Sequence, residues 1–116
     1  KYFNRSIVGV VWPAALEHLV FGERFNQPIT DIDWPDSLRT MRFGDFFNKP
    51  VVGVVWPASL EKLYIGGTCF NQALEGVVWP ASLRCLTLSY YCNTPIEKVD
   101  WPPSLEQLTF GCLFNQ

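Results

Sequence analysis

The chain has 116 residues, 48% of them apolar, so it has the length of one domain and enough apolar material to bury a core. Nine basic and eleven acidic residues give a net charge of −2, and no basic run could follow a phosphate backbone, so we expect no nucleic-acid partner. No stretch of about 18 apolar residues occurs and no signal-like leader opens the chain, so we predict neither a membrane span nor a signal peptide.

Two short motifs recur along the whole chain with one period. Trp-Pro begins at residues 12, 34, 56, 79 and 101, with spacings of 22, 22, 23 and 22 residues. Phe-Asn begins at residues 3, 25, 47, 70 and 114, and Cys92-Asn93 fills the one remaining slot. Two markers that agree on one period indicate a repeat array. We therefore predict that residues 1–116 form a single solenoid fragment of about five 22-residue repeats, uncapped at both ends and cut from a longer array.

Each repeat divides into two halves of similar pattern. The first half ends in Trp-Pro, as in residues 51–57, and the second reads Leu-x-x-Leu-x-apolar, as in residues 60–65. The last two apolar positions of each half are two apart, which is the strand period. The Pro after each Trp and the Gly after most second halves leave no run long enough for a helix. The sequence predicts a β-rich repeat solenoid with one or two parallel sheets of short strands, little or no helix, and two turns per coil.

Certain slots hardly vary from repeat to repeat, which predicts columns of like side chains along the solenoid. Stacked aromatic rings would contribute about 0.5–1.5 kcal/mol per pair beyond their burial, which we favour over an exposed sugar-binding row. A column of amides could satisfy the backbone at a turn and bond to the coils above and below. These predicted structural ladders are Trp12, Trp34, Trp56, Trp79 and Trp101; Phe3, Phe25, Phe47, Phe70 and Phe114; and Asn4, Asn26, Asn48, Asn71, Asn93 and Asn115.

Other slots vary from repeat to repeat. One of them predicts contacts between neighbouring coils, and others mark the repeat that departs from the pattern. Acidic and basic residues alternate at the exposed slot of residues 17, 39, 61, 84 and 106, so we expect ion pairs between neighbouring strands. The single 23-residue interval places one extra residue in the turn at residues 66–68. The next repeat has Ser89-Tyr90-Tyr91-Cys92 in place of Gly-x-x-Phe, which predicts two tyrosines at or near the surface beside that turn.

The motif Trp-Pro-x-Ser-Leu-x-x-Leu-x-Phe-Gly-x-x-Phe-Asn-x-Pro-Ile resembles the FNIP repeat, whose usual form has Ile-Pro in place of Trp-Pro. Residues 34–51 and 56–74 match it most fully. FNIP units occur in slime moulds, other protists and giant viruses, and the resemblance implies a right-handed, leucine-rich-repeat-like coil that binds other molecules without catalytic residues. By analogy with bacterial leucine-rich repeats, which are more distantly similar, the segment ending in Trp-Pro would form a concave sheet. The pattern itself is compatible with strands in both halves.

Candidates for catalysis and metal binding are weak. His18, the one histidine, follows Glu17, and adjacent strand residues point to opposite faces, so we expect a surface histidine. The acidic residues lack calcium-loop spacing, and the four cysteines lack Cys-x-x-Cys spacing. Cys69 and Cys92 could approach each other across neighbouring coils. We predict no enzyme, no metal and no cofactor.

The contrast between fixed and variable slots predicts a function in recognition. We expect a non-catalytic repeat scaffold that binds a protein or other macromolecule through the variable slots. The alternative is a structural protein that assembles end-to-end or laterally into a fibre or coat, with self-association through the solenoid ends. The candidate binding residues are Arg39, Arg42, Glu61, Tyr64, Arg84, Tyr90 and Tyr91.

Overall fold

One parallel β-sheet runs along the array in the computed structural model. The structure describes residues 7, 9–65, 70, 72, 74–91 and 99–113, with only the backbone at 89–91 and 110–113. The five strands are β1 (His18–Val20), β2 (Thr40–Arg42), β3 (Lys62–Ile65), β4 (Cys85–Tyr91) and β5 (Gln107–Leu113). Each strand pairs with the next in chain order, and no helix occurs in these residues. The predicted parallel-strand solenoid is confirmed.

The sheet register follows the sequence repeat. Leu19 lies opposite Met41, Met41 opposite Leu63, and Leu63 opposite Leu86. Because the side-chain period of a strand is two, this register keeps every inward residue above another inward residue. We number the coils 1 to 5 by the strand that each carries.

The strands come from the second half of each repeat. The first half contains no strand in the described residues, because it turns and then ends in proline. In coil 3 the N–H of Val54 donates to the carbonyl of Val51 at 3.3 Å, and Gly53 has a φ of 90°. Pro57 then has no N–H to donate to a sheet. The expectation that the Trp-Pro segment forms the concave sheet is therefore wrong.

Coils 2 and 3, which the structure describes throughout, each have three corners, although the sequence predicted two. In coil 3 the third of these turns is Pro57–Leu60, where the N–H of Leu60 donates to the carbonyl of Pro57 at 3.1 Å. The turn leading into this coil is closed by a 3.3 Å hydrogen bond from the N–H of Phe47 to the carbonyl of Gly44. The additional corner is the one at Val51–Val54, within the segment predicted as a strand. The three corners of coil 3 separate a Phe-Asn side (residues 47–51), a Trp-Pro side (54–57) and a sheet side (60–65). We use these names for the equivalent sides of the other coils.

Side-chain hydroxyls join each coil to the one before it. Ser59, at the corner before β3, donates to the carbonyl of Leu38 at 2.6 Å. The same bond is made at 2.6–2.7 Å by Ser37 to Leu16, Ser82 to Leu60 and Ser104 to Leu83. The hydroxyl column therefore satisfies a backbone carbonyl at one corner of each of these coils.

The last two strands, β4 and β5, are longer than the others, and β4 passes through the slot in which the earlier coils turn at a glycine. A Cβ built on Gly44 would lie 2.5 Å from the Cα of Glu23 in the previous coil, so this corner requires glycine. Ser89 has a Cβ in the equivalent slot, and β4 continues through it to Tyr91. The backbone of Tyr90 and Tyr91 therefore belongs to β4, and their predicted position at the surface stays a prediction. Their side chains lie outside the described part of the structure.

Candidate functional site

The variable slots lie together on the solvent-facing surface of the sheet. In β3, Lys62 and Tyr64 are exposed whereas Leu63 and Ile65 are buried. The parallel register repeats this alternation in neighbouring coils. We call this surface the outer sheet face. It consists of residues 17, 18 and 20; 39, 40 and 42; 61, 62 and 64; 84, 85 and 87; and 106, 107 and 109.

The charged slot lies one residue before each strand, where from β2 onward two backbone N–H groups share one carbonyl of the previous coil. The N–H groups of Glu61 and Lys62 both donate to the carbonyl of Arg39, at 2.8 and 3.1 Å. The same pattern, in which two consecutive N–H groups donate to one carbonyl, occurs between each of the four pairs of neighbouring coils. The register stays one-to-one, and the charged slot directly precedes the strand, so its side chain and the next one both reach the outer surface. This feature is not visible in the apolar pattern of the sequence.

Ion pairs join neighbouring coils at the charged slot, as the alternation of charge predicted. Arg39 Nη2 donates to Glu61 Oε2 at 2.7 Å. Arg84 donates to Glu106 through Nη2 at 3.1 Å and through Nε at 3.2 Å. The hydrogen bond with the carboxylate raises the pKa of each arginine, so both guanidinium groups stay charged. Such exposed pairs contribute more to the register than to stability.

Arg42 and Tyr64 form a different kind of pair at the centre of the outer sheet face. They are register partners on β2 and β3, and the Arg42 guanidinium carbon lies 4.7 Å from the centre of the Tyr64 ring. Within the described residues neither Arg42 nor Lys62 takes part in an ion pair. The centre of this face therefore presents two cations without an ion-pair partner beside an exposed aromatic ring. Arg and Tyr are residue types that often dominate binding energy.

A shallow depression of about 160 Å³ lies beside this pair, over β3 to β5. Its walls include Tyr64, Cys85, Thr87 and Gln107. Cys85 is a free, partly buried thiol whose S–H donates to Gln107 Oε1 at 3.6 Å. Cys69 and Cys92, which we expected to approach each other, lie outside the described residues.

The histidine and the acidic residues considered for catalysis or metal binding have the following surroundings. His18 lies on the outer sheet face, where its Nδ1 shares a 2.7 Å hydrogen bond with Thr40 Oγ1. Its Nε2 is 4.0 Å from Glu17 Oε1. Among the residues that the structure describes, no three His, Cys, Asp or Glu side chains are grouped to hold a metal ion. The same residues include no helix that could cross a membrane.

The predicted columns are described only in part. Trp34, Trp56 and Trp79 are each 6% exposed. Indole rings stack with centroids 5.8 Å apart for Trp12 and Trp34, 6.4 Å for Trp56 and Trp79, and 6.0 Å for Trp79 and Trp101. Four buried indole N–H groups have no hydrogen-bond partner among the described residues. They belong to Trp12, Trp34, Trp56 and Trp79. These N–H groups are the buried polar atoms that the apolar pattern did not reveal.

The phenylalanine and asparagine columns are described in the central coils. Phe47 is fully buried between Phe25 and Phe70, with ring centroids 6.3 and 6.1 Å away. The N–H of Asn48 donates to Asn26 Oδ1 at 2.9 Å. Phe3, Phe114, Asn4, Asn71, Asn93 and Asn115 lie outside the described residues. A continuous asparagine ladder therefore stays a prediction.

A second exposed surface was missed by the sequence analysis. The residue before each Trp points away from the core, and we call the column of these residues the Trp-Pro face. Its members are Val11, Asp33, Val55, Val78 and Asp100. Val11 is 91% exposed and Val55 is 75% exposed. The available signal was the alternation of these residues with the buried tryptophans.

The Trp-Pro face has two depressions, and its charged side chains are all acidic. Depressions of about 370 and 460 Å³ lie on the two sides of Asp33. The larger one lies between coils 2 and 3 and is lined by Asp33, Asp36, Val55 and Ala58, among others. No Lys or Arg occupies residues 9–15, 30–37, 52–59, 75–82 or 99–104, the described segments that form this side.

Comparisons with known proteins agree with this architecture. The family model described as FNIP Repeat matches residues 3–46, 25–68 and 70–113. A solved structure described as "The crystal structure of CroV588 a novel circular LRR protein structure" is similar, with a TM-score of 0.61 and 36% identity. The match covers 99% of this chain and 20% of that one, so the chain spans about a fifth of that protein's length. No curated protein matches the sequence.

Proposed function

The chain belongs to the FNIP repeat family, and from this premise we propose that it is a non-catalytic scaffold that recognises a protein through its outer sheet face. Repeat scaffolds with leucine-rich-repeat-like folds typically take part in protein interactions rather than catalysis. The observation that carries the proposal is the position of Arg42, Lys62 and Tyr64. These three variable residues are exposed side by side on two adjacent strands.

The physical chemistry of this face supports binding to a protein. An exposed aromatic ring beneath a guanidinium offers apolar area and charge in one place, and neither group must first leave an ion pair. The ion pairs at residues 39 and 61 and at residues 84 and 106 are already internally satisfied. We therefore assign the central cations and Tyr64 as the anchor, with the paired residues as the surrounding rim.

The test compares what the chain binds with and without the anchor. The immobilised chain and an Arg42→Ala/Tyr64→Ala variant would be presented with an extract of the source cells, and captured proteins would be quantified. Each captured protein would then be purified and its Kd measured. We expect the double variant to weaken binding at least about tenfold, because a hot-spot residue contributes 2 kcal/mol or more.

The matched control is Asp45→Ala, since Asp45 is exposed at a corner and lies off the outer sheet face. Circular dichroism of all variants would verify that the fold is unchanged. Unchanged binding by the double variant, or equal loss with the control, would refute the outer sheet face as the recognition surface.

A further inference from the structure

The Trp-Pro face and the outer sheet face complement each other in charge and shape, and both repeat once per coil. We propose that the partner of the outer sheet face is a second copy of this chain, docked through its Trp-Pro face with the coils of the two copies in register. The inference rests on the proposed function, because it names the partner of the same surface. The contact joins two different faces, so it is heterologous and can repeat from copy to copy.

The shared repeat is the first argument. Both faces present one equivalent residue per coil, with strands about 4.8 Å apart on the sheet side and stacked indole centroids 5.8–6.4 Å apart on the Trp-Pro side. A second copy with a parallel axis therefore places coil opposite coil, and the two intervals agree best over a few neighbouring coils.

The order of residue types along the two faces is the second argument. When each coil faces the coil of the same number, coil 1 places an apolar residue against an apolar one, coil 2 a cation against an anion, and coil 3 an aromatic ring against an aliphatic side chain. Coils 4 and 5 each place a threonine against the Trp-Pro face. The resulting pairs, outer sheet face first, are Val20 with Val11, Arg42 with Asp33, Tyr64 with Val55, Thr87 with Val78, and Thr109 with Asp100.

Other registers lose this match. A shift of one coil in one direction brings Val20 against Asp33 and Arg42 against Val55. A shift in the other direction brings Arg42 against Val11 and Tyr64 against Asp33. Each of these leaves a charge facing an apolar group, which disfavours burial of the charge. The alignment with equal coil numbers is therefore the preferred one.

Shape is the third argument. The pair formed by Arg42 and Tyr64 comes from coils 2 and 3, and both side chains are exposed. The larger depression of the Trp-Pro face also lies between coils 2 and 3, with Asp33 on one side and Val55 on the other. In the proposed alignment the guanidinium enters beside the carboxylate, and the ring enters beside the valine. Asp33 takes part in no ion pair within the described residues, so it is available.

The experiment uses charge reversal in the purified chain. Sedimentation velocity would follow the mass of the chain at low salt and in reductant over a concentration series reaching about 1 mM, the range of weak association. We expect concentration-dependent association in the unmodified chain. Arg42→Asp alone and Asp33→Arg alone should each weaken it at least about tenfold, since each places like charges opposite each other.

Rescue separates a docking role from a structural one. An equimolar mixture of Arg42→Asp and Asp33→Arg chains should associate again, because each chain then offers the charge that the other lacks. The double variant Arg42→Asp/Asp33→Arg should also regain self-association. No hydrogen bond or ion pair joins these two residues within one described chain, so repair of the fold does not explain rescue.

A chain that stays monomeric throughout the series would overturn the inference, as would association that neither reversal changes. The second result would indicate contact through the ends of the coil stack. Failure here is distinguishable from failure of the proposed function, which is tested by capture of other proteins. If Arg42→Ala/Tyr64→Ala abolishes capture of another protein while self-association is absent, the recognition surface stands and the second copy is excluded.

Discussion

The sheet side and the Trp-Pro side of each coil both bury apolar columns, yet different interactions order them. On the sheet side, backbone hydrogen bonds hold every strand against the next in one register. On the Trp-Pro side, turns and stacked indoles hold the coil, and the indole N–H of Trp56 has no partner in the described residues. The difference indicates that backbone pairing sets the register and that the tryptophan column follows it.

The largest effect should come from truncating the core of the sheet side. Leu63 is 1% exposed beneath β3, and Leu63→Ala should lower the free energy of unfolding by about 4 kcal/mol through lost burial and a cavity. Urea unfolding followed by circular dichroism would measure it.

On the Trp-Pro side, the variant to compare with Leu63→Ala is Trp56→Phe. It should cost no more than about 1 kcal/mol, because the smaller ring leaves a gap but removes a buried donor without a partner. Equal losses for these two variants would show that the two sides are ordered alike.

The corners offer the next comparison. Gly44→Ala should destabilise the fold by about 3 kcal/mol, because the new methyl group would overlap the backbone of Glu23. Gly53→Ala, at the corner before the Trp-Pro side, meets nothing within 4 Å and should cost only about 1 kcal/mol from its φ of 90°. Thermal and urea unfolding of both variants would check this order, and a larger loss for Gly53→Ala would contradict it.

A smaller effect is expected at the corner that links the two sides. Ser59→Ala removes the hydroxyl that donates to the carbonyl of Leu38 at 2.6 Å, and should cost about 1 kcal/mol. Ser59→Thr keeps a hydroxyl and serves as the control. If the alanine variant is as stable as the unmodified chain, water satisfies that carbonyl equally well.

The smallest effect should come from the ion pairs on the outer sheet face. Arg39→Gln should reduce stability slightly at low salt because it removes the charge opposite Glu61. The difference should disappear near 1 M salt, where the Debye length is about 3 Å. Salt-dependent melting of Arg39→Gln, Glu61→Gln and the double variant would measure the coupling, and a loss independent of salt would mean that packing is responsible.

Much of the architecture follows from the sequence because the repeat is strict. The period of 22 residues, the parallel solenoid and the pairing of Arg39 with Glu61 all depend on residues that return at fixed intervals. When coils stack at the period of the repeat, a residue that points into the core lies above a residue of the previous coil that also points into the core. The variable slots of the same repeat include Arg42 and Tyr64, which the register makes neighbours on β2 and β3.

Tertiary structure alone decided which half of the repeat becomes the sheet. Both halves have the two-residue apolar period, so local pattern could not distinguish them. The difference lies in the third corner at Val51–Val54, in the missing N–H of Pro57, and in the close approach of successive coils at Gly44. The doubled donation to the carbonyl of Arg39 likewise depends on the neighbouring coil. The contacts of Gly44 and of the Arg39 carbonyl join residues about one repeat apart, where local propensity has no influence and the stacking of backbones decides.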